Sequence, residues 1–307
     1  MKTEATTIPV PASERSGFAV WSDLVKARLT FLVLLTTLAG FYLGAENGVD
    51  WRLLINTLIG TALVACGAAA LNQWWEREHD AKMVRTETRP LPAGELSPTT
   101  VLLAGGLLSI VGLAQLAFLV NLLTAFLGAL TLLSYVLVYT PLKRVTTLNT
   151  AIGAIPGALP PLMGWAAARD NVSREGWALF AILFFWQLPH FLAIAWLYRD
   201  QYAKAGFVML PVRDPDGVRT GRQAMSHTLG LIAVSICPAI ITSGPGTYPI
   251  AGQVYFFGAL LLGVAFLWCA IQFSRELTRA RARQLFFASI LYLPLLFGLM
   301  ALDKVRR

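Results

Sequence analysis

Charge is scarce in this chain. Only 14% of its 307 residues are Asp, Glu, Lys or Arg, against about 25% in soluble domains. Set beside a hydrophobic share of 56%, that shortage excludes an ordinary soluble enzyme and a disordered chain. Cysteine is equally sparse. Cys66, Cys237 and Cys269 stand alone in apolar runs, with no CxxC pair and no Cys/His cluster, which excludes a disulfide framework and a zinc site. The N-terminal stretch does not read as a targeting signal. Residues 1–16 are polar and carry Glu4 and Glu14, unlike a secretory signal or an Arg-rich organelle presequence. Residues 1–20 read as a flexible cytoplasmic tail ahead of a single domain, 21–307. Acid is outnumbered, 17 against 25 Lys and Arg, for a net charge of +8. The bases lie in short loops between apolar runs, which is membrane orientation and not a nucleic-acid surface.

What the chain does have is long apolar runs. A bilayer-crossing helix needs about 20 mostly apolar residues. Nine such runs are predicted, at 24–44, 53–73, 99–119, 121–140, 149–168, 176–197, 227–244, 253–273 and 284–302. The expected fold is therefore all-α and polytopic, with nine transmembrane helices, since lipid leaves each segment to satisfy its own backbone. The third and fourth runs meet near Asn121 and should form a tight antiparallel hairpin. With the N-terminus in the cytoplasm, 19 of the 25 Lys and Arg fall on that side, which predicts N-in, C-out. Two long cytoplasmic loops follow, 73–98 and 198–226. Each holds a Leu-Pro step, Leu91-Pro92 and Leu210-Pro211, a weak trace of internal duplication.

The informative stretch ends the second run. Asn72, Glu76 and Asp80 are spaced i, i+4, i+8, so on a helix they form one ladder of oxygen-bearing side chains. Such oxygens suit Mg²⁺. A solvated helix end, supported by Arg77 and Glu78 on the other face, is the alternative. Like charges at i, i+4 are mildly unfavourable without a ligand, and ionisable groups at a membrane boundary tend to be functional. Arg85 and Arg89 follow, and guanidinium forks match phosphate oxygens. Acids able to hold Mg²⁺, followed closely by arginines, point to a diphosphate site. Lys82 reads as membrane-surface charge.

These residues carry a resemblance. Asn72-x-x-x-Glu76-x-x-x-Asp80 with Arg85-Thr86-x-x-Arg89-Pro90-Leu91-Pro92 resembles the first signature of the UbiA-type intramembrane prenyltransferases. Tyr139-Thr140-Pro141-Leu142-Lys143-Arg144 looks like that family's Tyr…Lys-Arg turn. Most of the superfamily has Asn-Asp and a further Asp where this chain has Asn72-Gln73 and Glu76. In that, it is similar to the haem O synthase (protohaem IX farnesyltransferase) branch. So are Gly153-Ala154-Ile155-Pro156-Gly157 through Pro161-Leu162, Trp186-Gln187-Leu188-Pro189-His190-Phe191, and Asp200-x-Tyr202-x-x-x-Gly206-x-x-Met209-Leu210-Pro211. The superfamily's second aspartate-rich motif is thin here: Asp200 stands near the membrane, with Asp214 and Asp216 further on.

The resemblance implies farnesyl transfer from farnesyl diphosphate to a vinyl group of haem b, with addition of water and loss of diphosphate. Haem b would be a substrate, and Mg²⁺, one or two ions, the cofactor. Asn72, Glu76, Asp80 and Asp200 would hold metal. Arg85, Arg89, Lys143, Arg144 and Lys204 would hold phosphate, with Lys143 also counted as catalytic. His190, an ionisable residue inside an apolar run, reads as porphyrin-facing or proton-handling, with axial ligation left open. His79 reads as a surface residue and His227 as ordinary. Trp74, Trp75, Tyr135, Tyr139, Phe184, Phe185 and Trp186 read individually as packing, though such rings would favour an allylic cation. The resemblance places the protein in a bacterial inner membrane, with its active site facing the cytoplasm and a haem A synthase or terminal oxidase as partner. The rival enzyme is a UbiA-type prenyltransferase acting on an aromatic quinone precursor. A transporter should carry acids at mid-depth near broken helices, and here they gather at the membrane boundary. A structural assembly factor leaves the acidic ladder unexplained.

Overall fold

The structure is a computed structural model, which describes residues 15–46, 48–242 and 248–305. The described residues are helical apart from connecting turns and one isolated bridge, Ala251 with Lys304. The chain begins with α1 (Gly17–Leu24) and α2 (Ala27–Gly44), then α3 (Trp51–Asp80), α4 (Pro98–Leu119), α5 (Leu122–Leu133), a π-helical stretch (Ser134–Tyr139) and α6 (Thr140–Leu142). The second half holds α7 (Asn149–Arg169), α8 (Arg174–Leu197), the short α9 (Arg199–Lys204) and α10 (Leu210–Arg213), then α11 (Val218–Ile236), α12 (Gln253–Glu276) and α13 (Arg279–Leu302).

Eight of these segments are long and apolar enough to cross a membrane. They correspond to every predicted run except 227–244. The helix there, α11, begins at Val218, and the reason is local. Gly217 takes the left-handed backbone (φ +74°) ahead of it. The buried Asp214 carboxylate accepts bonds from the N–H and hydroxyl of Thr220, at 2.7 and 2.8 Å, and so caps the first turn. Pro238 then turns the far end into a 3-10 turn, Cys237–Ala239. Arg219 and Arg222 lie in the first turns, so the helix as a whole is less apolar than the other eight.

The ladder helix also runs further than the predicted span, from Trp51 to Asp80, so residues 73–80 are helix and not loop. The first predicted run divides at Val25 and Lys26 into α1 and α2. Of the predicted tail, residues 1–14 lie outside the described residues. Its end does not: Ser16 caps α1, and Arg15 reaches Asp23, Glu95 and the Thr88 carbonyl. The Asn121 hairpin is present. The Asn121 side chain accepts the Thr124 N–H at 2.8 Å and donates to the Ala166 carbonyl at 3.0 Å.

Helices in lipid associate through close packing of small residues, not through a hydrophobic drive. On α2, a Cβ added at Gly40 would strike the Pro161 carbonyl. On α7, one added at Gly164 would strike the Thr37 carbonyl. These two glycines let α2 and α7 touch backbone to backbone at the centre of the bundle. The outward faces carry exposed Phe31, Leu103, Ile110, Phe126, Leu261 and Phe287, as a lipid-facing surface requires.

Candidate active site

Asn72, Glu76 and Asp80 share one face of α3, and all three side chains are buried. They line a cavity of about 70 Å³ with Lys26, Met83, Arg85, Arg89, Tyr139, Lys143, Tyr202, Phe207 and Met209. Each rung of the ladder faces a cation. The Lys26 ammonium donates to Asn72 Oδ1 at 2.7 Å. Lys143 donates to both Glu76 oxygens, at 2.8 and 3.1 Å. Arg89 donates to Asp80 Oδ2 at 2.6 Å. The buried acids are therefore paired, as their burial demands.

The local sequence builds this arrangement. The helix of α5 widens into π geometry over Ser134–Tyr139, and Thr140 closes the widened turn by donating its N–H and its hydroxyl to the Tyr135 carbonyl. The same hydroxyl accepts from Asn72 Nδ2 at 3.0 Å, which leaves Asn72 Oδ1 turned towards Lys26. Tyr139 fits because residue 153 is glycine; a Cβ there would strike its ring. Lys143 Nζ then lies 4.5 Å from the Tyr139 ring centre and 5.9 Å from that of Phe207.

Lys26 comes from the turn between α1 and α2, where its backbone is left-handed (φ 49°). A residue with a Cβ pays a steric penalty in that region. Gln73, next to Asn72, holds the turn: its Nε2 donates to the carbonyls of Asp23 and Leu24, at 3.0 and 2.8 Å. A carboxylate at position 73 has no hydrogen to donate to these oxygens.

The two lysines differ in proton affinity. Burial, then the charges of Arg89 and Lys143, push the Lys26 pKa down to about 7, with Glu76 and Asp80 restoring only part. Burial works most strongly against the Lys143 charge, but the Glu76 carboxylate and its hydrogen bond, together with Tyr139 and Tyr135, outweigh it and hold this lysine above the ordinary range.

Of the predicted site residues, Asn72, Glu76, Asp80, Arg85, Arg89 and Lys143 meet in the cavity. Arg85 stacks over Tyr198 and Tyr202, at 5.3 and 5.6 Å, and donates to the Tyr202 hydroxyl. The others do not join. Asp200 sits on α9 with its side chain 84% exposed, 3.9 Å from Arg199. Lys204 and Arg144 are exposed, outside the lining. His190 lies in α8 against α13, away from this cavity, and bonds Ser289 through Nδ1. His79 is half-buried beside Phe207, and His227 beside Phe185. Among the described residues no cluster of three or more His, Cys, Asp or Glu is placed to bind metal. Two carboxylates and one amide oxygen do suit Mg²⁺ that takes its remaining ligands from phosphate and water.

Sequence reasoning missed Lys26, which it counted only for orientation, and the apolar wall of Met83, Phe207 and Met209. A lysine before an apolar run carries no signal of its own.

The model of the UbiA prenyltransferase family matches residues 33–291. The chain belongs to the UbiA prenyltransferase family. Among relatives it is similar to the protoheme IX farnesyltransferase of Solibacter usitatus (strain Ellin6076), 48% identical over 92% of this chain and 97% of that protein. The protein of that name from Myxococcus xanthus (strain DK1622) is 41% identical over the full length of both. The human mitochondrial one is 38% identical over 93% of this chain and 62% of its own length. The fold is that of solved UbiA structures. A digeranylgeranylglyceryl phosphate synthase superposes with a TM-score of 0.78 at 15% identity, over 93% of this chain and 98% of that one. A UbiA homologue from Archaeoglobus fulgidus bound to GPP and Mg²⁺ does so with a TM-score of 0.65 at 15% identity, over 92% and 99%. As a UbiA protein with eight apolar helices, the chain is an integral membrane protein.

Proposed function

We propose that this protein transfers the farnesyl group of farnesyl diphosphate to a vinyl group of haem b, giving haem O and diphosphate. The observation that carries the reading is one cavity that joins the oxygen ladder to Lys26, Arg85, Arg89 and Lys143, in a chain 48% identical to a protoheme IX farnesyltransferase. In the reaction the allylic C–O bond breaks, diphosphate leaves with the electron pair, and the farnesyl carbon bonds the vinyl terminus. One water then adds at the inner vinyl carbon and loses a proton.

Asn72, Glu76 and Asp80 would hold Mg²⁺, a role supported by the Mg²⁺ and prenyl diphosphate bound to the Archaeoglobus homologue. The ion supplies charge that stabilises the leaving diphosphate. The chain's own cations supply the rest. Lys143, now on Glu76, and Arg89, now on Asp80, are within reach of a diphosphate on this ladder, with Arg85 at the rim. Once Lys143 turns to phosphate, the Tyr139 and Phe207 faces it occupies are free for the allylic cation. Asp200 is left out of this set because its carboxylate is exposed.

The reading takes α11 as the ninth crossing, with N-terminus and site in the cytoplasm and C-terminus outside. Three contacts support it. Lys304, after α13, donates to the Tyr42 and Ala45 carbonyls at the far end of α2. Near one end of α11, Gly221 abuts Ser274 of α12; near the other, Tyr255 of α12 bonds the Ser235 carbonyl. Farnesyl diphosphate and Mg²⁺ offered to the purified protein with haem b or with 4-hydroxybenzoate test the acceptor. A prenylated benzoate with unchanged haem would move the chain to the quinone-precursor rival. A haem A synthase or terminal oxidase as recipient of the product, and a bacterial inner membrane as the location, belong to the same reading.

A further inference from the structure

The strongest feature outside the diphosphate site is the setting of His190. It sits in α8, seven residues before Leu197, which at 1.5 Å per residue is about 10 Å inside the end of the helix that faces the site. Trp186 and Phe286 stack on its ring, with centres 5.0 and 5.1 Å away, and Phe191 meets it edge-on at 5.4 Å.

Its tautomer follows from the neighbours. The Ser289 hydroxyl donates its hydrogen to the Phe286 carbonyl. It therefore meets His190 Nδ1, 2.7 Å away, as an acceptor, and Nδ1 must carry the proton. The same residue's carbonyl accepts from Trp186 Nε1 at 2.8 Å, which fixes the stacked ring as well. Nε2 is left with its lone pair. Among the described residues it has no hydrogen-bond partner, and it is not among the buried polar atoms closed off from their surroundings. A histidine with one nitrogen protonated and anchored to a neighbouring group, and the other bare and accessible, is set up as a metal ligand. Among the described residues no acid is in hydrogen-bond contact with the ring to hold an imidazolium, so an electron-pair acceptor suits it better than a proton.

We propose that His190 Nε2 is an axial ligand of the haem iron of the acceptor substrate, held in register by Ser289. The proposal rests on the haem-farnesylating reading above. Binding forms one N–Fe bond from the existing lone pair, releases no proton and changes no oxidation state. The iron anchors the porphyrin within the membrane, about 10 Å below the site-facing end of α8, so that a vinyl edge can reach the farnesyl carbon beneath the diphosphate.

The test uses the full-length protein in nanodiscs, titrated with ferric haem b and, in parallel, with metal-free protoporphyrin IX. The wild type should bind haem at least ~10-fold more tightly than protoporphyrin, and its ferrous-nitrosyl EPR should show nitrogen splitting from a trans histidine. His190→Gly should lose both the preference and the splitting, and added imidazole should restore the splitting. Ser289→Ala should keep the splitting and bind haem ~10-fold more weakly. Thermal protection of His190→Gly by farnesyl diphosphate with Mg²⁺, equal to that of the wild type, checks that the variant is folded. If the wild type farnesylates haem while its preference and splitting survive in His190→Gly, the ligation is overturned and the function stands. If the wild type neither binds nor farnesylates haem, the function is overturned and the ligation with it.

Discussion

Glu76→Gln keeps the shape of a buried rung and removes its charge. In the native site Lys143 Nζ lies 2.8 and 3.1 Å from the two carboxylate oxygens. At that separation the gross attraction is ~6 kcal/mol in an effective dielectric of ~20. Desolvation cancels much of it, but deleting one partner of a buried pair still costs ~3–5 kcal/mol, because the other charge stays behind. The amide oxygen of glutamine can accept one of the two bonds, so a loss of ~3 kcal/mol is expected in the unfolding free energy of the reconstituted protein. Lys143→Met alone should cost a similar amount. The double variant leaves neither buried charge without its partner, so it should be more stable than either, with a coupling energy above ~3 kcal/mol. Activity should not follow stability. Glu76→Gln and the double variant should both lose ~100–1000-fold in diphosphate release at saturating haem, since each lacks charge prearranged for the leaving group. A Glu76→Gln protein within threefold of wild-type turnover would refute the reasoning. So would a double variant that regains activity together with stability.

Asp80→Asn weakens the 2.6 Å bond from Arg89; membrane insertion should be unchanged and turnover should fall ~100-fold, as read by product mass. Gln73→Glu puts a carboxylate against the Asp23 and Leu24 carbonyls. It should cost ~1–3 kcal/mol and, by freeing the Lys26 turn, weaken farnesyl diphosphate binding in a calorimetric titration. Asp214→Asn tests the α11 cap by its pH dependence. Burial alone would raise the Asp214 pKa, but bonds from Thr220, Arg219 and Asp216 hold it below the ordinary value. Its stabilisation, ~1 kcal/mol, is therefore present above about pH 4 and lost as pH falls through the folded pKa. The stability gap between wild type and Asp214→Asn should be constant near neutrality and close in acid. Deleting residues 2–14 should leave haem farnesylation intact, because that stretch has neither the ladder nor an apolar run.

Much of this was legible because lipid simplifies the code. Apolar length alone located eight of the helices, and the i, i+4, i+8 spacing placed Asn72, Glu76 and Asp80 on one face. What failed was local chemistry laid over that pattern. The start of α11 is set by Asp214 and Gly217, not by hydropathy, so a run drawn from apolar content alone began too late. Lys26 entered the site through a left-handed turn that no pattern announces, and Gln73, noted only as a departure from Asn-Asp, proved to be the clamp on that turn. Asp200 shows the opposite limit. A motif fixes sequence position, but α9 is one short helix, and in this structure it turns its acid to the surface.

Haem as the acceptor distinguishes this enzyme from its quinone-precursor rival. The most direct test incubates purified protein in nanodiscs with farnesyl diphosphate, Mg²⁺ and haem b, and reads the porphyrin by mass. The expected product is a haem that has gained one farnesyl group and one water, abolished by chelator and by Asp80→Asn. Haem of unchanged mass, from a preparation that prenylates 4-hydroxybenzoate under the same conditions, would contradict it.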